Sequence, residues 1–130
     1  MTGRQVATTV RRAEPGDLPA VMNVLDGANL AIDADTVARR IEAAMVLVAD
    51  GEAAPIGALV AIPRPIGAHI EAIGVRRRRR NAGIGGLLVE DAFGRWGRLT
   101  ATFDPPVRDF YESLDFAIEA QGERFWAERT

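Results

Sequence analysis

Apolar positions along this chain follow two periods in alternation. Leu18, Val21, Met22 and Leu25 recur at helical spacing in EPGDLPAVMNVLDGANL, and Asp17 stands where an N-cap would, so a helix is predicted there. DADTVARRIEAA predicts a second, shorter helix, with Asp35 as its cap and Val37, Ile41 and Ala44 on one side. After Gly83, Ile84, Leu88, Ala92 and Trp96 recur every fourth residue, while Glu90, Asp91, Gly94 and Arg95 take the other side of a third helix. Pro105 and Pro106 open a short fourth one, VRDFYESL, because proline is tolerated in a first turn. Between the helices lie apolar and β-branched runs that read as strands: VATTVRRA from Val6, MVLVAD, PIGALVAI, AHIEAIGV, RLTATF, and the closing hairpin FAIEA and ERFWAE around Gly122. Asp50 and Gly51 predict the turn between the second and third strands, and Pro63, Pro65 and Gly67 mark a loop before the fourth. The predicted order is β-α-α-β-β-β-α-β-α-β-β. With no repeat and no linker, it predicts one domain over residues 1–130.

Composition narrows the chemistry. The chain lacks Cys, which excludes thiolate chemistry and disulfides, and its single His69 excludes a multi-histidine metal site. No Asp/Glu group has the spacing of a metal-binding loop, so no metal is expected. A net charge of −2 argues against a generic nucleic-acid binder. MTGRQVATTVRR lacks the apolar core of a signal peptide, and the longest nearly apolar stretch, residues 53–62, contains Pro55 and is too short to span a bilayer. No membrane partner is expected, and the cytoplasm is the expected location. The chain has no lysine: all 16 basic residues are Arg, so its only primary amine is its own N-terminus.

Five of those arginines run together into a glycine-rich turn in GVRRRRRNAGIGGLLVEDAF. A helix N-terminus offers unpaired N–H groups and a partial positive charge to phosphate. Gly83, Gly85 and Gly86 let backbone approach a ligand, and an Arg just before them adds a bidentate donor, a chemistry that favours pyrophosphate. The spacing is neither that of a P-loop nor that of a Rossmann fingerprint.

The stretch AIGVRRRRRNAGIGGLLVEDAF resembles the acetyl-CoA motif of the GCN5-related N-acetyltransferases (GNAT): a Val at the end of the fourth strand, then Gln/Arg-x-x-Gly-x-Gly/Ala opening a helix, here Val75 and Arg80 to Gly85. A second motif agrees. Asp104, Val107, Tyr111 and Phe116 in DPPVRDFYESLDF fall at the spacing of the family's Asn, Ala, Tyr and final Phe, with Asp104 at the Asn position and Asp115 at that of the Gly before the Phe. VRRAEPGDLPAVMNVL is similar to the family's first strand and helix, so the resemblance runs over the whole chain. It implies an α/β fold with a mixed, mostly antiparallel central sheet and helices on both faces. It also implies acetyl-CoA as cosubstrate and direct acetyl transfer to a primary amine. By resemblance, the backbone of Ile73, Gly74 and Val75 pairs with the pantetheine and acetyl groups, and the amide of Val75 polarises the thioester carbonyl. Arg80 and the amides of Asn81, Ala82, Gly83, Ile84, Gly85 and Gly86 hold the pyrophosphate. Asp104 lies near the pantetheine arm, and Tyr111 sits near the sulfur and protonates the departing thiolate.

The residues also admit plainer readings. Arg76 to Arg79 form either a solvated surface or a patch that steers the adenosine phosphate. Glu71 and His69, two apart on one strand, should share a face. Glu71 is there either to pair with His69 or an Arg, or to act as the general base, with His69 as the rival base. Tyr111 is otherwise a core aromatic beside Phe110 and Phe116, and Trp96 and Trp126 read as packing. Two other functions compete: an acyl-CoA-binding or sensing domain without turnover, and an RNA-binding module, against which the net charge and the lack of interleaved aromatics argue. The acceptor, a small molecule or a peptide amine, is left open among polyamine, amino acid, aminoglycoside and protein N-terminus. The protein is expected to be a monomer or homodimer.

Overall fold

The structure is a computed structural model and describes residues 8–28, 30–80 and 82–130. The expected order of elements is the observed one: β1 (Thr9–Arg12), α1 (Leu18–Gly27), α2 (Ala34–Glu42), β2 (Val46–Asp50), β3 (Pro55–Pro63), β4 (Ala68–Val75), α3 (Ile84–Trp96), β5 (Leu99–Phe103), α4 (Arg108–Glu112), β6 (Ala117–Gln121) and β7 (Arg124–Arg129). Val6 and Ala7, where the first strand was expected to begin, lie outside the described residues.

Local chemistry corrects several boundaries. Asp33, not Asp35, caps α2, its carboxylate accepting from the Thr36 amide at 2.8 Å. Ala44 falls past the end of that helix, in the left-handed region at φ 62°, so only Val37 and Ile41 of the expected stripe are buried in it. Asp17 precedes α1 but does not cap it with its side chain. Its carboxylate accepts from the Glu14 amide at 2.7 Å and from Arg11, which also grips Asp50 of β2 at 2.6 Å. The hydrogen bond from Arg11 holds the Asp17 carboxyl below its ordinary pKa. The turn between β2 and β3 spans residues 51–54 and is closed by Gly51 N–H donating to Ala54 O at 2.9 Å.

All the strands join one seven-stranded sheet in the order β1-β2-β3-β4-β5-β7-β6, antiparallel except for β4 and β5. Two cores flank it. On one face Leu47, Leu59 and Leu99 are fully buried in one cluster with Leu88 and Val89 of α3. On the other face Val21, Val24 and Leu25 of α1 and Val37 of α2 are fully buried in one cluster with Val60 of the sheet. Each such side chain contributes about 1.5–3 kcal/mol by leaving water.

One irregularity positions the site. Ile70 pairs with Ala61 and Ala72 with Val60, so Glu71 is a bulge with no partner on β3. The bulge switches the faces. Ile70 joins the α3-side core and Ala72 the α1-side core, while Ile73 and Val75 turn back toward α3.

Candidate active site

β4 and β5 stay together only briefly. Ala68, His69 and Ile70 pair with Leu99, Thr100 and Ala101, and beyond Ile70 the strands separate. Arg76, just after β4, donates its amide to Ile56 O of β3 at 2.8 Å. Backbone groups of successive strand residues point to opposite edges, so the amides and carbonyls of Val75 and Ile73 point away from β3 into the gap that β5 leaves. Those of Gly74 face β3. The expected pairing surface is therefore supplied by Ile73 and Val75, and Gly74 contributes by being small: a Cβ there would lie 3.0 Å from the Ala28 side chain.

The chain then passes through a 3-10 turn at Arg77–Arg79 into α3. Gly83, the residue before the helix, has φ 81°, a left-handed conformation that glycine adopts without strain. It offers no capping side chain, so the first-turn amides of α3 are left for a ligand. Gly85 is needed for packing, because a Cβ there would lie 2.9 Å from the Phe110 ring.

These parts enclose a groove of about 610 Å³. Ile73, Gly74 and Val75 line it from β4, Arg79 and Arg80 from the turn, Gly83, Ile84, Gly85 and Gly86 from α3, and Pro106, Val107 and Phe110 from the opposite bank. Arg80 donates to Val75 O at 3.1 Å and to Gly27 O at 3.4 Å. Its cation thus sits between the end of β4 and the C-terminal end of α1, whose carbonyls it complements.

Other expected site residues lie elsewhere. Asn81 is outside the described residues, and Ala82 is exposed and off the groove wall. Asp104 is also off the wall, paired with Arg124 of β7 at 2.9 Å and exposed. Tyr111 is buried, stacked on Phe103 at 4.6 Å and edge-on to Phe110 and Phe116. Burial raises its pKa well above the ordinary value. Phe110, one residue earlier, is the aromatic that lines the groove.

Glu71 and His69 share the sheet face opposite α3, as their spacing implies. Glu71 is not buried. It is held by Arg40 of α2, Nε to Oε1 at 2.8 Å and Nη2 to Oε2 at 3.3 Å. His69 is half-buried, stacked on Trp126 at 5.8 Å, with Nδ1 hydrogen-bonded to the Thr100 hydroxyl at 2.8 Å. Burial, helped by Arg64 and opposed by Glu71, lowers the His69 pKa and keeps the ring neutral at pH 7.

No family model and no curated protein matches this sequence. Solved structures do match. PaiA N-acetyltransferase from Thermoplasma acidophilum, solved with coenzyme A, superposes with a TM-score of 0.84 over 96% of this chain and 99% of its own, at 14% identity. An acetyltransferase of the GNAT family from Listeria monocytogenes gives 0.76 over 94% of each chain at 15% identity. This chain has the GNAT fold. Ard1 from Thermoplasma volcanium agrees, at TM-score 0.81 over 95% of this chain and 97% of its own, with 17% identity. The GNAT resemblance read from the two motifs is thus matched by the whole backbone, including the mixed sheet. Among the described residues of this GNAT fold no helix is long and apolar enough to cross a membrane, and no group of His, Asp and Glu could hold a metal ion.

Sequence reasoning missed Phe110, Pro106 and Arg40 as site residues, while Val107, named there only as a motif position, also lines the groove. Pro106 and Phe110 carry a usable signal, being four residues apart in the turn that the two prolines open. Arg40 carries none, because its partner is 31 residues away.

Proposed function

We propose that this protein is an acetyl-CoA-dependent N-acetyltransferase, a single catalytic domain moving an acetyl group directly from the thioester to a primary amine. The observation that carries the reading is the gap between β4 and β5. It leaves the amides of Ile73 and Val75 unpaired in a groove that runs straight to the uncapped N-terminus of α3. An extended pantetheine adds to β4 as a strand would, and the pyrophosphate takes the first-turn amides with Arg80 as counter-charge. The Val75 amide donates to the carbonyl oxygen as it gains charge.

The amine approaches from the face opposite α3, where Glu71 and His69 lie. Glu71 takes the ammonium proton, directly or through water, and Arg40 fixes the orientation of its carboxylate. Tyr111, next to the groove-lining Phe110 but not itself on the wall, is the residue we assign to donate a proton to the departing thiolate; burial keeps its hydroxyl protonated through the neutral range. No covalent enzyme intermediate is needed, in keeping with the absence of Cys. The reading places the protein in the cytoplasm, where acetyl-CoA is supplied, and takes the acceptor to be a small-molecule or peptide amine.

Thermal melting with CoA tests the binding half. At about 100 times Kd the ligand should stabilise the parent by about 2.7 kcal/mol. Arg80→Ala should lose most of that shift, and Arg95→Ala should keep it, since Arg95 pairs with Asp91 one turn earlier on α3. A parent protein that does not shift, or equal losses in both variants, would remove the phosphate site.

A further inference from the structure

Thr100 of β5 is only 1% exposed, yet it carries a hydroxyl. A buried hydroxyl proton without an acceptor is costly, so a buried hydroxyl donates wherever a lone pair is in reach. Thr100 pairs with His69 across the short β4–β5 ladder, and its Oγ1 lies 2.8 Å from His69 Nδ1. Among the described residues that ring nitrogen is the only hydrogen-bond partner of the hydroxyl. Nδ1 accepts the hydroxyl proton only if it carries none of its own. A proton on Nδ1 would point at the hydroxyl oxygen and leave the hydroxyl proton buried without an acceptor. The half-buried ring is neutral at pH 7, so it holds one proton, and the nitrogen left to hold it is Nε2. Trp126 stacks on the ring at 5.8 Å, and Nε2 has no hydrogen-bond partner among the described residues.

We propose that Thr100 is a positioning residue whose hydroxyl holds His69 as the Nε2–H tautomer, so that His69 donates a hydrogen bond to the acceptor substrate instead of taking its proton. Both ring nitrogens are then committed. The lone pair of Nδ1 is engaged by Thr100, and Nε2 carries a proton. A general base needs a free lone pair, so proton removal falls to Glu71, two residues along on the same face. A neutral N–H pairs with a lone pair and has nothing to offer a bare ammonium. It therefore suits an acceptor that carries a carbonyl, carboxylate or hydroxyl oxygen beside its amine. The role of His69 rests on the acetyl-transfer reading, whereas the tautomer does not.

Nuclear magnetic resonance of the isotope-labelled full chain tests the tautomer without any substrate, because the single histidine gives one set of ring signals. A long-range nitrogen–proton correlation spectrum at neutral pH should place the proton on Nε2 alone in the parent and in Thr100→Ser, which keeps the hydroxyl. Thr100→Val removes the hydroxyl and should give a mixture of both tautomers. A parent with its proton on Nδ1, or with the tautomers mixed, overturns the proposal, as does a Val variant with the parent's spectrum. Should the Val variant not fold, the parent and Ser spectra decide between the same outcomes. The role of His69 is read from kcat/KM with an acceptor that the enzyme acetylates. His69→Leu should lose about fivefold to tenfold, as expected for one neutral hydrogen bond, and His69→Gln, which keeps an N–H donor, should recover most of that loss. Equal losses of about 10²-fold or more in both variants would make His69 a base and overturn the proposal. A chain that acetylates no amine would end the acetyl-transfer reading and with it the role of His69, while the spectrum alone would still decide whether Thr100 sets the tautomer.

Discussion

Arg40 and Glu71 meet through two hydrogen bonds, joining α2 to the bulge of β4 at the point where β5 departs. The pair is partly exposed, so its worth to stability is small, about 0–1 kcal/mol. Its catalytic effect should be larger. Glu71→Gln should lower kcat/KM about 10²-fold, with the loss shrinking as pH rises and free amine becomes common. Arg40→Gln should leave the melting temperature nearly unchanged. Initial rates across pH for both variants check this. A Glu71→Gln enzyme with the parent's rate and pH profile would leave the residue as an anchor for α2.

Tyr111→Phe keeps the ring and removes a buried hydroxyl. Affinity for acetyl-CoA should survive, and kcat and kcat/KM should fall together, the mark of an interaction made only as the thiolate leaves. The same variant has a signature independent of activity. The folded pKa of Tyr111 lies above the unfolded value near 10, so its contribution is present below pH 10 and lost as pH rises beyond it. Tyr111→Phe should therefore lose less stability than the parent in alkaline melts. Normal turnover would make Tyr111 a packing residue.

His69 acts in the opposite direction. Burial places its folded pKa below the unfolded value near 6.5. The unfolded chain then binds the proton first, so stability declines as pH falls from about 6.5 through the folded pKa. His69→Gln should flatten that part of a stability–pH curve measured by chemical denaturation. An unchanged slope would mean that other groups set it.

Asp115 occupies the left-handed region at φ 66°, directly before buried Phe116. This explains why the resembling motif has Gly there, and why an Asp, one of the few residues that tolerate the conformation, can replace it. Asp115→Gly should be neutral to stabilising by up to about 1 kcal/mol, and Asp115→Val destabilising. Equilibrium denaturation distinguishes the two. A destabilised Gly variant would mean that the Asp side chain itself is needed.

Much of this was legible in the sequence because local periods set it. The stripe of Ile84, Leu88 and Ala92 and the turn glycines define α3 without tertiary help, and residues 73–75 and 83–86 do meet around one groove. What was not legible depends on strands and helices distant in sequence. The bulge at Glu71 comes from how β3 and β4 register, the exposure of Glu71 from that bulge, and its partner from α2. Asp33 and Asp35 offer the same chemistry to a helix start, and only the path of the loop selects Asp33. Tyr111 and Phe110 are adjacent aromatics, and the angle at which α4 meets the groove decides which one lines it.

The measurement closest to the central claim follows acetyl-CoA turnover over a panel holding a polyamine, amino acids, an aminoglycoside and peptides with free N-termini. Released CoA thiol and acetylated amine are quantified together. The expected result is at least one amine acetylated in equal amount to the CoA released, with release abolished when the amine is omitted. Tight binding of acetyl-CoA with no acetylated amine anywhere in the panel would contradict the transferase reading and make the groove an acyl-CoA-binding site without turnover.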